Sequence, residues 1–191
     1  MVILAGDVTA PALRAIDRSA NVALLRAGSD DLAGAADALG RAARITAPYV
    51  LVAADPLAAL AAQWQAMWDV KAEQHDVAPF EVRAGEVLAA WRAGTFELPD
   101  YYLVLAEQAG PGAEQPPDFY LGPLRSVRPH RVSVAAAAEP AEQATEVLTV
   151  LGSLRHGRWW PSLDEIFRTS REFYPGSLAE SPDAGRARLL A

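Results

Sequence analysis

Arg125, Arg128, His130 and Arg131, followed after one intervening helix by Arg155, His156, Arg158, Trp159 and Trp160, occupy two stretches, 119–138 and 147–163, that contain no Asp or Glu. Guanidinium forks bind phosphate or carboxylate bidentately, and aromatic faces stack on a base or on the arginines themselves. The chemistry to which these residue types point is capture of a small anionic ligand of phosphate, carboxylate or nucleotide-like character, or of an acidic partner. The contrast with the rest of the chain is strong. Residues 119–160 hold five arginines against Glu139, Glu142 and Glu146, whereas the remainder holds 12 basic residues against 21 acids.

Each half of this zone also has a purely architectural reading. Arg155, His156 and Arg158 fall at a helix C-terminus, where cations offset the helix dipole and its orphan carbonyls. Trp159-Trp160 precedes a capped helix, the usual place for a core plug. If residues 130–136 form a regular strand, His130, Val132 and Val134 share one face and Arg131 and Ser133 the other, which points His130 inward. Arg168 and Arg171 stand among Asp164, Glu165 and Glu172 at spacings that suit surface ion pairs and are left out of the site.

A second constellation is acidic. Asp7 and Asp55 each follow an expected parallel strand, and open α/β sheets bind ligands at the carboxyl ends of their strands. Two such carboxylates sharing a Mg²⁺ would serve a metal-dependent enzyme acting on a phosphorylated substrate. The plainer role is capping: Asp55-Pro56 is a complete helix-start signal, and Asp7 is placed to cap a helix beginning near Thr9. His75-Asp76 is explained as a helix C-terminal histidine.

The elements that must position these residues alternate. Val2–Ala5, Asn21–Arg26 and Tyr49–Ala54 read as buried strands, each followed by a helix: 9–18, then one capped by Ser29-Asp30-Asp31 running to Ile45, then 56–74. In the third, Leu57, Leu60, Trp64, Met67, Trp68 and Lys71 recur at three- and four-residue spacing. A helix over 85–93, extended runs at Tyr101–Glu107 and Phe119–Leu124 around the loop Gly110–Pro117, and a run at His130–Ala136 follow. A helix over 139–155 and one opened by the capping box Ser162-Leu-Asp-Glu165 complete the pattern. The expected fold is α/β with a mixed sheet, a parallel N-terminal βαβαβα part joined to a C-terminal β-hairpin or strand plus two helices. Residues 1–175 are expected as one domain and 176–191 as a loose tail.

The chain has 191 residues, 51% of them hydrophobic, and a net charge of −7, which argues against a general nucleic-acid or membrane-surface binder. It lacks cysteine, which removes thiolate zinc sites and cysteine nucleophiles, and Lys71 is its only lysine. Dinucleotide, P-loop, zincin and nucleophile-elbow signatures are absent, and neither cofactor nor metal is expected. With no signal peptide and no spanning segment, a cytoplasmic location is expected. Whether the protein is an enzyme stays open. The leading expectation is non-catalytic binding of a small anion through Arg125, Arg128, His130, Arg131, Arg155, His156, Arg158 and Trp159. The alternatives are the Asp7/Asp55 enzyme and an assembly protein acting through the apolar face of helix 56–74, with a homodimer as the main alternative to a monomer.

Overall fold

Five strands form one sheet: β1 (Val2–Ala5), β2 (Val22–Arg26), β3 (Tyr49–Ala53), β4 (Tyr101–Glu107) and β5 (Val132–Ala137), in the order β2-β3-β1-β4-β5. The structure is a computed structural model that describes residues 1–68, 76–107, 118–137, 139, 141–154 and 157–175. All neighbouring strands run parallel, with Val2 opposite both Leu51 and Tyr101, and Tyr102 opposite Val132. The central strand β1 is buried along its whole length, as its unbroken apolar sequence requires of a strand covered on both faces.

Helices α1 (Ala10–Asp17) and α6 (Gln143–Leu151) cover one face, burying Ala12, Ile16, Ala144, Val147 and Leu151 against Val2, Leu4, Leu51 and Leu103. The other face carries α2 (Leu32–Ala42), α3 (Ala58–Ala66), α4 (Ala78–Arg92) and α7 (Leu163–Arg171). Trp64 lies at the centre of this layer with its ring 5.5 Å from Phe80 and 5.8 Å from Phe119. Leu57, Leu60, Trp64 and Met67 are all buried, so the apolar face of α3 is core. Ser162 accepts the Glu165 N–H at the start of α7, as the capping box requires, and Asp31 caps α2 through Gly34 N at 2.8 Å.

The α/β class and the parallel N-terminal half follow the sequence pattern, but the C-terminal half departs from it. Among the described residues no hairpin forms: β4 and β5 are parallel, as are all the other neighbouring strands. The run at 119–124 is not extended. It is a π-helical turn, Tyr120–Leu124, leading into the single turn α5 (Arg125–Val127) and a 3₁₀ turn, Pro129–Arg131. Pro123 has no N–H to donate to Phe119 O four residues back, so Leu124 N takes that carbonyl at 3.0 Å and the turn widens. Strand β5 therefore begins at Val132, later than the sequence pattern places it.

Lys71, His75, the loop Gly110–Pro117, Arg155, His156 and the tail 176–191 lie outside the described residues. Among the described residues no helix is long and apolar enough to cross a membrane.

Candidate functional site

Strand β1 leads into α1 on one face of the sheet, while its neighbour β3 leads into α3 on the other. Diverging connections leave a gap between the carboxyl ends of the two strands, the position at which open α/β sheets bind ligands. Two cavities occupy that gap. One of about 340 Å³ is lined by Asp7, Val8, Thr9 and Leu13; the other, of about 360 Å³, by Ser29, Asp30, Asp55, Arg83 and Tyr120. They share Leu4, Gly6 and Ala53, so they adjoin across the backbone of Gly6. Gly6 has φ +93°, and a Cβ there would stand 2.8 Å from Leu105 O, which restricts the position to glycine.

Asp55 is the best-organised polar group of the crevice. Its Oδ1 accepts the Leu57 N–H at 2.9 Å and the Tyr102 hydroxyl at 3.3 Å, and its Oδ2 accepts the Tyr120 hydroxyl. The first contact is the turn that opens α3, the helix-start role expected of Asp55-Pro56, although α3 itself begins at Ala58. The tyrosine contacts come from residues 47 and 65 positions away. Asp55 as a residue is partly exposed and lines the second cavity, but its carboxyl is buried, and the loss of solvent around it outweighs the three donors and pushes its pKa up to about 6. Burial, and then the Asp55 charge, push both tyrosines well above the ordinary tyrosine range, so they stay donors. Asp118 anchors Tyr120 by accepting its N–H at 2.7 Å and that of Leu121 at 2.9 Å.

The other carboxylates differ in their commitments. Asp31 is held by Gly34 N and by the Ser29 hydroxyl at 2.7 Å. Arg83 pairs with Glu86 on its own helix. Asp7 is exposed and does not cap α1, because Thr9 does so, accepting the Ala12 N–H at 3.3 Å. The first turn after β1 is closed to an anion in another way. Gln143 of α6 accepts the Thr9 N–H at 3.0 Å and donates to Asp7 O at 3.1 Å, occupying the backbone that would face a phosphate.

The basic zone lies at the opposite, amino edge of the sheet, at the start of β5. Its two segments do converge, and their polar atoms meet each other. Arg131 is only 7% exposed, and it donates through Nε to Arg158 O at 2.9 Å, through Nη1 to Asp100 O at 2.9 Å and through Nη2 to Gly157 O at 2.8 Å. Its guanidinium carbon stands 4.6 Å from the Trp159 ring centre and 5.1 Å from that of Tyr101. Arg128 donates to Trp159 O at 2.7 Å and Val127 O at 2.8 Å. Trp160, the buried plug, donates its indole N–H to Pro99 O at 2.7 Å. The parity expected of 130–136 is reversed: Arg131 is buried and His130 exposed, since both belong to the 3₁₀ turn. Arg125 is partly exposed, and the side chains of Arg158 and Trp159 reach solvent.

The described residues contain no group of three or more His, Asp or Glu placed to hold a metal ion. Sequence reasoning found Asp55 but missed Tyr102 and Tyr120, whose polar ends meet it only in the fold.

The molecule so defined is a parallel α/β protein with a crevice at the point where its strand order reverses. No protein-family model, no curated protein and no solved structure matches this chain.

Proposed function

We propose that this protein binds a small polar molecule in the crevice at the carboxyl ends of β1 and β3, against the Asp55 carboxylate. The carrying observation is the coincidence of two adjoining metabolite-sized cavities with a carboxylate that three donors hold in a fixed orientation at the topological switch point. Small residues line the crevice, Ala35 and Ala54 within and Ala58 and Ala59 at the exposed rim, with Leu32 and Val87 beside them, so a ligand has apolar contact as well as the polar group that orients it.

A second reading, a small anion at the amino edge, draws on the approach of Arg128 and Arg131 to residues 157–159. It ranks below the first because the guanidiniums of those two arginines are spent on backbone carbonyls.

Amide chemical shifts separate the two. Titration with glucose, adenosine, agmatine and glucose 6-phosphate is expected to move Gly6, Ala54 and Tyr120 for at least one probe. Ala59→Trp, an exposed position at the crevice rim, is expected to abolish that response without unfolding the protein. Shifts confined to His130 and Gly157 would transfer the site to the amino edge.

A further inference from the structure

We infer that the crevice selects ligands bearing a protonated nitrogen, an amine or an amidine, which pairs with Asp55 in its ionised form. The inference rests on the crevice being the binding site and adds the chemical class of its ligand. The three groups that hold Asp55 are all donors and Asp55 lines the cavity, so what its carboxylate offers a ligand is an acceptor. Among the described residues that line the cavity, the charged ones are acidic or already paired. On the α2 side Asp30 is exposed at the rim and Asp31 is committed to Ser29 and Gly34. From α4, Arg83 faces the cavity paired with Glu86. From β4 and the π turn, Tyr102 and Tyr120 present hydroxyls already given to Asp55, with Asp118 behind them. Asp7 adds a further exposed carboxylate across Gly6, and Gln143 closes the first turn of α1.

The sign of the pH dependence follows from this arrangement. An ammonium or amidinium stabilises the ionised carboxylate, so protonation of Asp55 competes with it; an anion would instead bind better once Asp55 is neutral. The Asp55 pKa of about 6 places the competition in an accessible range.

Calorimetric titration of the full chain with agmatine and benzamidine, at about pH 7.5 and about pH 5, tests this directly, since both probes stay protonated throughout. The expected result is binding that weakens about tenfold at the lower pH, one pH unit below the Asp55 pKa. Asp55→Asn is expected to remove both the affinity and its pH dependence. Affinity for either probe that holds or rises on acidification overturns the inference, as does unchanged agmatine binding by Asp55→Asn. Should that variant fail to fold, the pH profile of the parent protein decides alone. If only glucose or glucose 6-phosphate perturbs Gly6, Ala54 and Tyr120, the crevice remains the site and the ligand class falls. If no probe perturbs them, both fall.

Discussion

The two edges of the sheet use charge in opposite ways. At the amino edge Arg131 gives its N–H groups to three backbone carbonyls and lies against two aromatic rings, so its charge fastens residues 157–159 to the sheet. At the carboxyl edge Asp55 is equally well held, but part of it faces a cavity, and its ionised form is destabilised by lost solvation. A fully coordinated charge contributes to folding. One that is oriented but incompletely solvated is available to a ligand. In the basic zone Arg128 and Arg131 satisfy backbone carbonyls, and the carboxyl edge, which looks ordinary in composition, holds the cavities.

Removing the first kind of charge is expected to have the largest effect. Arg131→Ala leaves three carbonyls without donors and deletes the stem that fills the space between Tyr101 and Trp159; a loss of roughly 3–5 kcal/mol is expected in denaturant titration. Crevice binding should survive wherever the variant is folded. A cost under about 1 kcal/mol would remove the contrast between the edges.

The next effect has the opposite sign. The folded pKa of Asp55 is raised above the ordinary Asp value of 3.8, so its contribution to stability is present at low pH and lost as the pH rises toward and through about 6. Between about pH 4 and pH 7.5 the stability of Asp55→Asn relative to the parent should therefore improve by roughly 2–3 kcal/mol. A difference that stays flat across that range would show that the carboxylate is not destabilised by burial.

The smallest effect serves as a reference from the protein surface. Glu81 of α4 accepts from Arg171 Nε and Nη2 of α7, both at 2.7 Å, and this bonding holds its carboxyl below the usual range. Both partners are substantially solvent-exposed, so Arg171→Gln is expected to cost about 0.5–1 kcal/mol near neutral pH. Because the Glu81 pKa is depressed, this contribution is lost on acidification, the reverse of Asp55. Thermal melts of the variant at several pH values would expose a wrong sign.

What the sequence made legible was local. The apolar runs of β1 and β3, the Asp31 cap and the Ser162 box are each written within a few residues, and each is found in the fold. Partnership across long intervals was not. The direction of β5 relative to β4 is set by how the chain returns over the sheet, and nothing in Val132–Ala137 itself encodes it. The 3₁₀ turn Pro129–Arg131 takes His130 and Arg131 out of the strand, so that Arg131 rather than His130 is buried. Helix α7 shows the same limit, for Arg171 pairs with Glu81 and Asp164 with Arg92, both partners lying on α4. Asp55 was legible as a helix start, and its second role required two tyrosines from distant elements.

Gly6 couples the packing of the sheet to the shape of the crevice. Any residue with a Cβ at this position would collide with the Leu105 carbonyl, and the peptide it would displace is lining common to both cavities. The requirement of the backbone thus also fixes the rim that the two cavities share. Saturation mutagenesis selected only for folding would return glycine at this position, and would preserve that shared rim without ever selecting for it.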